Sequence, residues 1–87
     1  MKLSDKFIVH SMDGETLLAP TAEADFRGIV RCNNSVEVIL RALEKGVSSE
    51  GELVEALLER FDGEEAEMRA DVSRTLTDLR RIGAVID

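Results

Sequence analysis

The hydrophobic pattern of this chain changes period once, near Asn34, and that change limits the folds open to it. Before it, short apolar or alternating runs read as strands: FIVHSM, ETLLAP and FRGIVRC, punctuated by Asp13-Gly14 and by Pro20. After it, Val36, Ile39, Leu40 and Leu43 fall at i, i+3, i+4 and i+7, the spacing of one helix face. The Asp13-Gly14 step suits a tight hairpin turn.

Two further helical runs follow. Leu53, Val54, Leu57, Leu58 and Phe61 form a wide stripe before Asp62-Gly63, and Met68, Val72, Thr75, Leu79 and Ile82 form another before Gly83. Asn34 with Glu37, Ser49 with Glu52, and Asp62 with Glu65 have the spacing of capping boxes and predict three helix starts. Ala84 to Ile86 reads as a last strand or a docked tail. The expected architecture is α+β and winged helix-turn-helix-like: an N-terminal antiparallel sheet of two to three strands over residues 1–33, then three helices over 34–87. The connections are too short for a domain boundary, and 87 residues suffice for one core, so a single domain spanning 1–87 is expected.

Several function classes are disfavoured by composition. The longest uncharged apolar stretch, Leu17 to Ala22, is far below the roughly 20 residues of a membrane span. The start MKLSDKFIV lacks a secretory apolar core, which predicts a cytoplasmic protein. One cysteine, Cys32, and one histidine, His10, make neither a disulfide nor a zinc site, so no metal or cofactor is expected. In a strand, with no catalytic motif around it, His10 reads as structural, and Cys32 as a small core hydrophobe. No phosphate-binding, dinucleotide-binding or nucleophile-elbow motif is present, so no catalysis is expected. A net charge of −7 repels a phosphate backbone.

That charge is unevenly spread. Residues 34–63 carry three Lys or Arg against seven Asp or Glu, whereas residues 69–81 carry four against two. A helical wheel over the third helix puts Arg69, Ser73, Leu76 and Arg80 on a stripe beside the core residues Met68, Val72 and Leu79. There Leu76 would receive an apolar anchor while Arg69 and Arg80 pair with acidic side chains, which points to an acidic, hydrophobic partner. The plainer reading of Arg80 and Arg81 is that they complement the helix dipole.

The run FRGIVRCNNSVEVILRAL resembles the PqqD family in its aromatic Phe26, its Gly28, a strand over Ile29 to Cys32, Asn33, and an apolar helix from Val36 to Leu43. VHSMDGETLLAP is similar to that family's opening hairpin, and the segment from Glu52 to Val85 to its second and third helices. The chain departs from the pattern at Leu40, where a Trp often stands, and at Cys32, which replaces an aliphatic residue. The resemblance implies a RiPP recognition element: a module that holds the leader of a ribosomally made precursor peptide for a modifying enzyme, often of the radical S-adenosylmethionine type. It also implies that the leader adds as a strand to the third strand, in the cleft beside the third helix.

Read from the residues, the candidate edge is Gly28, Ile29, Val30, Arg31 and Cys32, with Phe26, Val30 and Cys32 facing the core and Ile29 and Arg31 facing away. An open edge offers unpaired amides and carbonyls for strand addition, and Arg27 and Arg31 equally suit a guard against indiscriminate pairing. A strand of about five residues gains ~0.5 to 1.5 kcal/mol net per hydrogen bond, which after ordering costs suits micromolar binding. The expected peptide contacts are therefore Gly28 to Cys32 with Arg69, Val72, Ser73, Leu76 and Arg80. Two other readings stay open: a winged-helix DNA-binding regulator, against which the acidic second helix argues, and a structural interaction domain, monomeric or a weak homodimer through its edge strand.

Overall fold

The computed structural model describes residues 1–87 and has five strands and three helices. After β1 (Lys2–Leu3), β2 (Phe7–Met12) and β3 (Glu15–Pro20) form a hairpin, because Asp13 (φ 53°) and Gly14 (φ 80°) both take the left-handed conformation of a two-residue turn. Its register pairs Met12 with Glu15 and Phe7 with Pro20. On β2 the strand period buries Phe7 and Val9 and leaves Ile8 and His10 in solvent.

The third strand of the sheet, β4 (Val30–Cys32), pairs antiparallel with β3 through Thr16–Cys32, Leu17–Arg31 and Leu18–Val30. It is shorter than expected, for Gly28 and Ile29 precede it as non-strand residues. A second, two-stranded sheet joins β1 to β5 (Val85–Ile86), so the C-terminal segment is a strand and its partner is the chain's own start. Backbone bonds from Ser4 N–H to the Ala84 carbonyl (2.7 Å) and between Met1 and Val47 extend this clasp.

The helices are α1 (Asn34–Lys45), α2 (Glu50–Arg60) and α3 (Glu65–Arg81). The cap of α1 is Asn33 rather than Asn34: its Oδ1 accepts from the Val36 N–H at 2.9 Å. Ser49 and Glu52 do form a capping box, the Glu52 carboxylate accepting from the Ser49 N–H at 3.1 Å. The cap of α3 is Glu64, not Asp62, since the chain bends at Gly63 and enters the helix from the extended Glu64. At the other end of α3, Gly83 N–H bonds the Arg80 carbonyl (3.1 Å) and Ala84 N–H the Leu79 carbonyl (2.8 Å), a Schellman pair that turns the chain into β5.

One core of fifteen residues joins the inner face of the hairpin (Phe7, Val9, Leu18) to all three helices and to Ala84 and Val85. On α3 the buried face is Met68, Val72, Leu76 and Leu79, while Thr75 and Ile82 are only half-buried. Leu76 lies four residues after Val72 and three before Leu79, so the same turn of helix carries it inward. No helix is long and apolar enough to cross a membrane.

Candidate functional site

β4 hydrogen-bonds to β3 alone, so its other edge is open. Val30 and Cys32 turn half-buried side chains inward and Arg31 stays exposed, in the expected alternation. Arg31 reaches diagonally across the outer face of the sheet to Glu15 at 3.8 Å, where both groups are exposed and the pair adds little stability. Ahead of the strand, Ile29 is 65% exposed. Phe26 packs on Phe7 with ring centroids 6.3 Å apart, which anchors the incoming loop to the core.

Cys32 closes the strand. Its half-buried Sγ lies 3.5 Å from the Val30 carbonyl, and burial pushes its thiol above the ordinary range, against a smaller opposing effect of a backbone hydrogen bond. It therefore behaves as a small hydrophobe at the corner where Asn33 starts α1.

That corner leads to α3. Ser35, in the first turn of α1, shares an open depression of about 250 Å³ with Glu64, Glu67, Met68 and Asp71, above Leu57 and Phe61. Gly63 (φ 156°) makes its close wall: a Cβ there would stand 3.2 Å from the Met68 methyl. The flank of α3 that faces Ser35 across this depression is thus the acidic one.

The structure disposes the expected contacts on α3 differently from the wheel. Leu76 and Val72 are fully buried, so neither presents a side chain to a surface ligand, and the expected shoulder at Leu76 is part of the core. Arg69 is exposed but donates to Glu65 at 3.0 and 3.2 Å. Arg80 turns to the β1–β5 clasp, bonding Asp87 at 2.9 Å and lying 3.6 Å from the Met1 sulfur. Ser73 is exposed between them. Arg69, Ser73 and Arg80 thus line the flank opposite Asp71, while of Gly28 to Cys32 only Val30, Arg31 and Cys32 lie in the edge strand.

Ser35, Glu64, Glu67 and Asp71 are not among the contacts expected from the sequence. Glu64, Glu67 and Asp71 also fall on one flank of a helical wheel, but periodicity treats a helix's two flanks alike, and only the packing around Gly63 tells which one faces Ser35.

Beyond this corner, Glu37 on α1 ties the helix to the hairpin end. Hydrogen bonds from the Thr16 and Ser11 hydroxyls, with lesser help from the Arg41 and Arg60 guanidinium groups, hold its carboxyl below the usual carboxylate range; Ser11 Oγ lies 3.0 Å away.

Two solved structures share the fold along the whole chain. One is a lasso peptide synthetase B1 complexed with the leader peptide: 17% identity, TM-score 0.77, covering 99% of this chain and 96% of that one. The other is TbiB1 in complex with the TbiA(beta) leader peptide: 20% identity, TM-score 0.77, with both chains covered completely. No curated protein matches the chain. The family model described as coenzyme PQQ synthesis protein D matches residues 11–85, from the first hairpin to the last strand, and on that ground the chain belongs to the PqqD family.

Proposed function

We propose that this protein binds the leader segment of a ribosomally made precursor peptide as an added strand on the open edge of β4, and presents it to a modifying enzyme. The observation that carries this reading is an unpaired sheet edge on β4, in a PqqD family member that shares its fold with two proteins solved with leader peptides. Gly28, Ile29, Val30, Arg31 and Cys32 offer backbone groups to the peptide. Past the strand, the depression lined by Ser35, Met68 and Asp71 is open to the peptide's side chains, whereas the buried Leu76 is not.

The module itself is a non-catalytic adaptor. The chemistry belongs to the partner enzyme, for which a radical S-adenosylmethionine enzyme is one candidate. Binding to DNA through α3 is disfavoured by the carboxylates of Glu64, Glu67 and Asp71 along its first turns.

Calorimetric titration with the precursor peptide encoded beside the gene tests the reading, with a duplex DNA titration over a salt series as its counterpart. Micromolar peptide binding without salt-dependent DNA affinity is expected. The reverse pattern contradicts it.

A further inference from the structure

The most acidic stretch of the chain gathers its cations in one place. Residues 34–63 hold three Lys or Arg, namely Arg41, Lys45 and Arg60, and all three line a single depression of about 340 Å³ between α1 and α2. Its apolar surface is Val38, Ala42 and Ala56, and the small alanine side chains leave room between the helices. Glu37 and Glu59 also line it, but Glu37 is engaged by the hydroxyl of Ser11. Arg41 is likewise engaged, donating to Glu44 at 3.1 Å and to Ser11 at 3.0 Å.

Lys45 and Arg60 are different. Six of the eight arginines form ion pairs with carboxylates; Arg60 and Lys45, like Arg27, Lys2 and Lys6, form none. With Arg41, Lys45 and Arg60 give the depression three cations against the carboxylates of Glu37 and Glu59, a net positive lining in a chain of net charge −7 that is complementary to a carboxylate-bearing ligand. The volume suits one or two side chains rather than a buried strand.

We infer that this α1–α2 depression is a second docking site, and that it takes an acidic segment of a partner protein, with an apolar side chain seated on Ala42 and Ala56 and flanking carboxylates on Lys45 and Arg60. The site is formed by other residues than the β4 edge and the acidic corner of α3, so the module can hold a peptide and a protein partner at once. This inference does not rest on the leader-binding reading. The apolar floor favours a protein segment over a bare polyanion, which would gain nothing from it.

The test uses the whole chain, isotope-labelled, titrated with an N-acetylated, C-amidated peptide of alternating glutamate and leucine at low salt. Amide shifts are expected at Val38, Ala42 and Ala56, weakening as salt rises. Lys45→Glu with Arg60→Glu is expected to weaken binding about tenfold or more, as two exposed ion pairs become repulsions. Lys45→Gln with Arg60→Gln is expected to give a smaller loss, and circular dichroism checks that both variants fold. An absence of binding, unchanged affinity in the charge-reversed variant, or shifts confined to Arg69 and Arg80 overturns the proposal. Self-association through the same residues, seen by sedimentation, overturns it in favour of a second copy.

Discussion

Asn33 and Val36 set the junction between sheet and helix: the Asn33 side chain accepts the Val36 N–H at 2.9 Å, one residue after β4 ends at Cys32. The same side chain therefore terminates the open-edged strand and aims α1 at the core. Removing this cap by Asn33→Ala costs about 1 kcal/mol, whereas Asn34→Ala, inside the first turn, costs a few tenths. Urea unfolding of the two variants separates them, and equal losses would assign no special role to Asn33.

The core of α3 makes a second prediction. Leu76→Ala removes a fully buried side chain and is expected to destabilise by about 2 to 5 kcal/mol, while Ser73→Ala, on the exposed face, is near neutral. Thermal unfolding measures both. A mild Leu76→Ala whose only defect is in peptide binding would restore Leu76 to the surface.

Leu76 also illustrates what periodicity conveys. The period change near Asn34, the three helices and the Asp13-Gly14 hairpin were all legible, because each depends on residues close in sequence. Helix caps were legible to within one or two residues: Ser49 was correct, whereas Asn33 and Glu64 displaced Asn34 and Asp62. The site was legible only where it is local. The alternation of Val30, Arg31 and Cys32 follows from the strand period, with Gly28 and Ile29 outside the strand, but the burial of Leu76 depends on the rotation of a packed helix, which no local pattern encodes. The clasp between β1 and β5 joins residues about the whole chain apart, and Lys2 and Leu3 carry no strand signal of their own.

Glu37 predicts a pH dependence. Its carboxyl titrates below the usual range in the folded protein because Thr16 and Ser11 donate to it, so it contributes stability that is present above the unfolded carboxylate pKa and is lost as pH falls through the folded one. Glu37→Gln is expected to flatten that part of the acid limb of a stability profile while leaving the neutral-to-alkaline limb parallel to the parent. Parallel profiles throughout would remove Glu37 from the account.

For Cys32, burial raises the thiol pKa and the side chain is only partly accessible. Alkylation at neutral pH is therefore expected to run slower than that of a free thiol, and to reach the free-thiol rate once the chain is unfolded. A native rate equal to that of glutathione would place the thiol in open solvent.

The central claim is that a peptide pairs with the free edge of β4. Amide hydrogen exchange of the labelled chain, with and without the precursor's leader peptide, tests it most directly. Slowed exchange within Ile29 to Asn33, together with chemical-shift changes at Ser35 and Met68, is the predicted result. Binding that leaves the β4 amides exchanging at their free rate, with shifts confined to Arg69 and Arg80, would contradict it.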